Sequence, residues 1–513
     1  MKLGNLIADC ALRYPEREVI ICNDRRITFG ELDITANRLA NAYTARGMKT
    51  GDRLAMFLPN SAELIEAMCG AAKAGGIIVP IATRLAPREV EYILGDCEPW
   101  MVCFTPQHRD LVREAAKHLD NPLLVVFGGD AEEGEITFDA LIAEGADTPP
   151  PPLPTDFDML ALGYTSGTTG RPKGALATHM ALVLTGGYMN LSEWHLTAED
   201  RILATTPMAH RTGLGRVANA VCCGCAVVIM EKFDPVAAVD LIKKEKITVI
   251  GLVPTIARML LPEIEKRPQD VSSARLMVAT GEAFPVDIKK RLAAAAPNIG
   301  LYTFFAQTEA GFITGLRPEE QATHPDSCGR PVPSVDVRII DENLNDVPRG
   351  DVGEIICRCG TPGVLSMPAY WRNPEATEAA FHEGWLRTGD LGRMDEDGYV
   401  YFVDRAKDMI VSGGLNIYSR EVEDALESHP AIDEAAVLPV ADAEFGESVF
   451  AYVTFQPNAS ATESELIAHC RDLIASYKKP KFVRGIDILP RNSTGKVVKV
   501  ALRERAAKEL TDT

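Results

Sequence analysis

Short apolar runs alternate with stretches of helical period through the first 150 residues, and nothing else in the sequence constrains the fold as strongly. Residues 28–46 read as a helix opened by Thr28, with Glu31 three positions on at the spacing of a capping box. Residues 53–58 read as a strand, 62–73 as a helix and 77–81 as another strand. A chain that alternates in this way buries its apolar faces as layered α/β structure around a largely parallel sheet. The Pro-rich stretch 149–154 is a stiff, extended linker and is read as closing a first subdomain. After Asp156 the rhythm resumes, with buried strands at 226–230, 248–252 and 276–279.

Around 337–358 the pattern changes to short alternating strands with turns at 341–343 and 349–350, which implies a smaller β-rich subdomain. Beyond it, a helix at 418–428, strands at 435–440 and 449–456 and a helix at 463–475 compose a small α+β domain. The expected architecture is therefore α/β. A large N-terminal domain of layered α/β subdomains and a β-rich subdomain (1–403) is followed by a connector (404–408) and a small mobile α+β C-terminal domain (409–513).

At 513 residues the chain exceeds what one core usually organises. A net charge of −19 argues against a nucleic-acid partner, which needs clustered cations. It leaves room for a phosphate-bearing small ligand, because a local nest of backbone N–H groups can override the overall field. Residues 1–14 lack the features of a secretory signal. No run approaches the roughly 20 apolar residues of a membrane span, and the final Thr-Asp-Thr is no targeting or lipid signal, so a cytoplasmic protein is expected. The 12 cysteines are scattered. Cys222 and Cys225 lie in an apolar stretch with no second pair or nearby His, and Cys357 and Cys359 alternate along a strand-like run. Both sets read as buried, reduced thiols rather than metal or redox sites.

The most informative stretch for chemistry is Tyr164-Thr165-Ser166-Gly167-Thr168-Thr169-Gly170-Arg171-Pro172-Lys173-Gly174. It follows the apolar run 159–163 and precedes a stretch read as a helix. Hydroxyls, glycines and a lysine packed this densely can wrap phosphates with N–H groups, O–H groups and one ammonium. It is not a Walker A loop, since no Gly-Lys-Ser/Thr closes it.

With this loop the chain resembles the adenylate-forming superfamily of acyl-CoA synthetases, adenylation domains and luciferases, and the resemblance extends over nearly the whole sequence. It implies that Thr165, Ser166, Gly167, Thr168, Thr169 and Lys173 hold ATP phosphates. Phe305-Ala306-Gln307-Thr308-Glu309 resembles the family's aromatic-Gly-x-Thr-Glu motif. That likeness places Phe305, Ala306 and Gln307 at the adenine, Thr308 at the α-phosphate and Glu309 on Mg²⁺. Ala306 departs from the usual Gly, which would restrict the backbone there. Gly281-Glu282-Ala283-Phe284 resembles the segment along the adenine. Asp390, within Trp385-Leu386-Arg387-Thr388-Gly389-Asp390, resembles the ribose ligand, and one carboxylate suits a cis-diol because it accepts two hydrogen bonds.

By the same resemblance Arg405 contacts ribose or phosphate, and Lys407 is the hinge about which the small domain turns. A charged residue suits a hinge because it stays solvated while φ and ψ change. Gly413 and Gly414 form the turn that reaches the CoA arm. Lys496, in Pro490-Arg491-Asn492-Ser493-Thr494-Gly495-Lys496, resembles the catalytic lysine that offsets charge building at the α-phosphoryl group.

Pro207-Met208-Ala209-His210-Arg211-Thr212-Gly213 resembles the segment beside the acyl chain, with Ala209 in place of an aromatic residue. It places His210, Arg211 and Gly213 at the acyl pocket, with His210 positioning the carboxylate or serving only as a hydrogen-bonded core residue. Arg211 either pairs a second carboxylate of the substrate or forms a structural ion pair pointing away.

The implied activity is an ATP-dependent carboxylate–CoA ligase that uses ATP, Mg²⁺ and coenzyme A on a fatty or aryl acid. A stand-alone adenylation enzyme serving a carrier protein is an alternative, and a non-catalytic nucleotide sensor is one of another class. The acid is left open, and so is the choice between a monomer and a homodimer.

Overall fold

The computed structural model describes residues 1–153, 159–165, 172–281, 284–442, 444–491 and 496–511. The chain divides into two compact units. Among the described residues, one comprises 1–165, 172–336 and 357–386, and the other 337–356 and 387–511. Residues 404–408 fall inside the second unit.

Two sheets organise the first unit. The seven-stranded sheet runs in the order Glu135–Thr137, Leu123–Val126, Met101–Phe104, Arg53–Phe57, Ile77–Pro80, Met159–Thr165, Lys173–Thr178. The nine-stranded sheet has the parallel strands Gly300–Gln307, Leu276–Ala279, Val249–Leu252, Arg201–Ala204, Ala226–Ile229 and Glu18–Cys22 at its centre, with antiparallel strands at both edges. Four of these central strands, Val249–Leu252, Leu276–Ala279, Ala226–Ile229 and Met101–Phe104 of the companion sheet, are buried at every position. That is why they read as unbroken apolar runs rather than alternating ones. The helix Phe29–Ala45 starts at Thr28 with the expected capping box: Glu31 N donates to Thr28 Oγ1 at 3.2 Å, and Thr28 N donates to Glu31 Oε2 at 2.8 Å.

Two readings of the sequence are corrected. The Pro-rich stretch does not close a subdomain, because Met159–Thr165, beyond it, pairs in parallel with Ile77–Pro80. Glu18–Cys22, near the N-terminus, pairs with Ala226–Ile229 in the nine-stranded sheet. The loop after Met159–Thr165 leads into an antiparallel strand, Lys173–Thr178, not a helix, and Thr165 faces Lys173 in the register.

The strands Asp336–Ile340, Gly353–Arg358, Trp385–Met394 and Val400–Arg405, most of whose residues are in the second unit, belong to one five-stranded sheet. A second sheet takes Leu415–Ile417, Ile410–Ser412, Gly446–Phe455, Ile432–Asp442 and Phe482–Gly485. One apolar cluster of this unit holds Ile410, Val422, Leu426, Val437 and Val453, and another holds Leu438, Phe450, Tyr452 and Leu502. Alternation along Ile432–Asp442 and Gly446–Phe455 sends neighbouring residues to the two clusters.

None of the 12 cysteines is in a disulfide. Cys225, Cys357 and Cys359 are buried as expected, but Cys222 and Cys223 are half-exposed at the end of their helix. Among the described residues no helix is long and apolar enough to cross a membrane.

Candidate active site

The parallel strands Arg201–Ala204, Val249–Leu252, Leu276–Ala279 and Gly300–Gln307 end on one edge of their sheet. Open α/β sheets bind ligands at that edge. His210, Gly281, Thr308 and Glu309 all follow closely on such strand ends. Gly281 has φ 108°, a conformation that side chains rarely adopt, directly after its buried strand. Phe305 and Ala306 flank a register shift in the pairing with Gly311–Leu316. Ala306 is not among the residues with positive φ, so the alanine costs the backbone nothing there.

Glu309 stands at the mouth of the Thr165/Lys173 hairpin. Its Oε1 accepts from Thr165 Oγ1 at 3.2 Å and from Tyr370 Oη at 2.9 Å. Tyr370 arrives by pairing with the hairpin: Trp371 N donates to Gly174 O at 2.7 Å, and Leu176 N donates to Ala369 O at 3.1 Å. The Lys173 ammonium lies 5.4 Å from the centre of the Tyr370 ring. Burial and the Glu309 charge push the Tyr370 phenol far up, so it acts as a donor at all ordinary pH. Among the described residues no cation forms a salt bridge with Glu309; its partners are neutral hydroxyls. A carboxylate in that state fits Mg²⁺, which takes one or two carboxylates and completes its shell with phosphate oxygens and water.

His210 is the N-cap of the helix Arg211–Cys223, whose first turn closes through Gly213 N donating to His210 O at 2.8 Å. A small cavity of about 40 Å³ opens here, in part to solvent. Its apolar wall is short: Ala161, Ala175, Ala177, Ala209, Leu182 and Leu214. Its polar wall includes Tyr164, His210, Arg211 and Thr308. The Arg211 side chain is half-buried, its guanidinium donating to Thr308 O and, at 3.2 Å, to Thr185 Oγ1. Burial pulls its pKa down to about 10, while the Glu309 charge acts in the opposite direction. Arg211 thus lines the cavity and braces the Thr308 carbonyl, and among the described residues it forms no salt bridge.

In the second unit Asp390 lies in the strand Trp385–Met394, opposite Arg405 of Val400–Arg405, with Arg405 Nε 3.6 Å from Asp390 Oδ1. Asp390 is buried and Arg405 is half-exposed. Ala406 N donates to Gly389 O at 3.0 Å, and Arg503 Nη2 donates to Lys407 O at 3.1 Å. Lys407 is exposed, yet crowding by protein atoms and the Arg405 charge pull its ammonium pKa down. Gly413 and Gly414 form the tight turn between Ile410–Ser412 and Leu415–Ile417, both left-handed with φ 58° and 79°. Lys496 is half-buried, just before the Arg491–Val497 bridge closes.

The AMP-binding enzyme family matches residues 7–371, and its C-terminal domain matches 421–496. The chain belongs to this family. It is 34% identical to the long-chain-fatty-acid–CoA ligase FadD13 of Mycobacterium tuberculosis over 489 residues, covering 94% of this chain and 93% of the relative. It is also 34% identical to the feruloyl-CoA synthase of Amycolatopsis sp, covering 98% and 99%. The solved o-succinylbenzoate CoA synthetase (MenE) of Bacillus subtilis, in complex with the acyl-adenylate intermediate OSB-AMP, superposes with a TM-score of 0.87. It is 29% identical and covers 98% of this chain and 97% of that one. The enzyme is an acid–thiol ligase of the acyl-CoA synthetase branch, with ATP and CoA as substrates.

In this AMP-binding enzyme the first unit brings Thr165, Lys173, Thr308 and Glu309 to one place and His210 and Arg211 to the adjoining cavity, with Gly213 buried in the first turn of their helix and not on the cavity wall. Asp390, Arg405 and Lys407 form a separate group in the second unit. Ser166, Gly167, Thr168, Thr169, Glu282 and Ala283 lie outside the described residues. Sequence reasoning missed Tyr370 and Thr185. Neither stands in a motif, and each reaches the site only through tertiary pairing.

Proposed function

We propose that the enzyme joins a fatty or aryl carboxylic acid to CoA through an acyl-adenylate. The observation that carries this reading is the Glu309 carboxylate held by Thr165 and Tyr370 at the mouth of the Lys173 hairpin, beside a cavity rimmed by His210, Arg211 and Thr308. The acid's carboxylate oxygen attacks the α-phosphorus of ATP. The bond from that phosphorus to the bridging oxygen breaks, and pyrophosphate leaves. Thr165 and Lys173, with Ser166 to Thr169, hold the phosphates to be expelled. Thr308 contacts the α-phosphate, Phe305, Gln307 and Gly281 border the adenine, and His210 positions the carboxylate. Asp390 takes the ribose hydroxyls, with Arg405 beside them. Glu309 would hold Mg²⁺, which supplies charge neutralisation of the phosphates when bound.

Lys496 places an ammonium against the charge that builds on the phosphoryl oxygens, where a water-poor site makes it far more effective than in solution. In the second step the C-terminal domain, residues 409–513, turns about Lys407. Gly413 and Gly414 then admit the CoA arm, whose sulfur attacks the acyl carbon. The bond from acyl carbon to phosphate oxygen breaks, AMP leaves, and the thiol proton passes to solvent. The test is incubation with Mg-ATP and a panel of acids, with and without CoA, following pyrophosphate, AMP and thioester. AMP and thioester that require CoA and one acid class are the expected result. Pyrophosphate exchange without thioester would point to another acceptor, and no turnover with any acid would leave nucleotide sensing.

A further inference from the structure

Arg216, on the same helix as Arg211, is only 6% exposed. Its guanidinium lies flat against Gly251 in the strand Val249–Leu252: a Cβ on that glycine would stand 2.6 Å from Nη2 and 3.0 Å from Cζ. Among the described residues its partners are Asn219 Oδ1, at 3.3 Å, and the face of Trp194, at 5.2 Å. Other arginines tied to buried acids meet full carboxylates: Arg275 with Asp200, Arg317 with Glu193, Arg26 with Glu245. Arg216 has no such counter-charge among the described residues. Burial pulls its pKa down to about 10, so it remains a cation at neutral pH. The Trp194 indole N–H beside it is also buried without an acceptor. Donors therefore outnumber acceptors at this spot, a costly arrangement unless an anion joins them.

The position of this surplus suggests its use. Gly251 is next to the last residue of its strand, toward the sheet edge that carries His210 and Thr308. The helix that opens on the cavity at Arg211 and Leu214 continues to Arg216, and the helical rise sets Arg216 about 9 Å beyond His210 along the axis. We propose that Arg216 recognises a second oxyanion, carboxylate or sulfonate, at the end of the acid remote from the carboxylate that is adenylated. The inference rests on the ligase reading above and narrows its substrate to acids that carry two anionic ends. A guanidinium suits this task because its planar fork donates two parallel hydrogen bonds to a carboxylate or sulfonate.

The test compares acids about six to ten carbons long, the span set by the helix rise, each as monoacid, α,ω-diacid and ω-sulfo acid. Carboxy-substituted aryl acids and their unsubstituted parents form a second series. Pyrophosphate exchange without CoA gives kcat and KM separately. The wild type is expected to favour one anionic series over the matched monoacids by roughly 30-fold or more in kcat/KM, chiefly through KM. Comparing diacid with sulfo acid identifies which oxyanion is read. Arg216→Met should collapse that ratio toward unity, and Arg216→Lys should restore part of it. Gly251→Ala keeps the charge but pushes the guanidinium aside, and should also lower the ratio. A wild type that activates monoacids with no preference for either anionic series overturns the proposal and leaves the ligase intact. Equal losses on all acids in Arg216→Met and Gly251→Ala, with lowered melting temperatures, overturn it in favour of a structural cation. Failure of every acid overturns the ligase reading and this proposal with it.

Discussion

Gly213→Ala sets two opposing effects against each other at the rim of the cavity. Gly213 is the third residue of the helix Arg211–Cys223. Alanine is the better helix former by about 1 kcal/mol, so propensity alone predicts a more stable protein. The structure predicts the reverse. A Cβ at this position would press on Met208 O and Cα and stand 2.6 Å from Met208 C, all backbone atoms. Carbons prefer roughly 3.5–4.0 Å, so the Met208 backbone and the helix start must part by about 1 Å. Overpacking of this kind costs about 1–3 kcal/mol, and a clash with backbone belongs at the upper end. The net effect is a loss of about 1–2 kcal/mol. His210 and Arg211 lie between the two clashing groups and move with them. A misplacement of about 1 Å can cost on the order of 100-fold in rate, or about 2.7 kcal/mol of transition-state stabilisation. Pyrophosphate exchange and thermal unfolding measure the two losses. The dissociation constant for Mg-ATP should stay within about threefold, since other residues hold the nucleotide. Exchange within about threefold of wild type at an unchanged melting temperature would refute the reasoning, because it would mean that the rim yields without moving His210 or Arg211.

Tyr370→Phe keeps the ring beside Lys173 but removes one donor to Glu309; hydrogen bonds to charged groups contribute about 1.5–3 kcal/mol. Titration of Mg²⁺ should show a higher requirement and a fall of roughly 10–100-fold in kcat/KM for ATP. Lys496→Ala should slow pyrophosphate exchange on the order of 100–1000-fold while thioester formation from supplied acyl-adenylate persists, read by separate half-reaction assays. Lys289 is buried, donates to Pro325 O at 2.6 Å and has its pKa pulled down to about 8 from 10.5 by desolvation. Between those pH values the folded chain has released the proton while the unfolded chain retains it, so stability rises with pH by up to about 3 kcal/mol. Melting curves from pH 7 to 11 should show that rise in the wild type and a flattened profile in Lys289→Met.

Local signals carried through to the structure where the physics is local. The Thr28–Glu31 capping box needs only three residues of spacing and the helix it opens. Fully apolar runs such as Leu276–Ala279 mark strands covered on both faces, and that strand has the limits read from sequence. Sheet membership is not local. Glu18–Cys22 and Ala226–Ile229 pair although some two hundred residues separate them, and no composition shift announces it. The proline stretch after residue 148 marks a stiff passage of chain but not a boundary, because the strand beyond it completes the earlier sheet. The glycine- and hydroxyl-rich loop reads as a phosphate loop from its chemistry alone. Its setting as a hairpin is not legible, since Ala175, Leu176 and Ala177 favour a helix over the strand they form. Tyr370 reaches Glu309 only because its segment pairs with that hairpin.

Charge in a sequence gives presence but not direction, and the helix Arg211–Cys223 shows the consequence. Its two arginines are five positions apart, about 500° of rotation, so they leave the helix roughly 140° from one another. Arg211 turns to Thr308 and the cavity, while Arg216 turns to the sheet at Gly251 and the ring of Trp194. Read alone, either could be a solvated surface residue. The signal that separates Arg216 from a surface cation lies in another segment: Gly251 interrupts the otherwise bulky strand Val249–Leu252. A glycine inside a buried strand weakens it unless something must approach the backbone closely. Here the approaching group is a guanidinium, and any side chain at 251 would displace it. The glycine is thus the legible half of a pair whose other half is a buried cation. Because the described residues offer that cation no carboxylate, the remaining counter-charge is most economically supplied by the substrate.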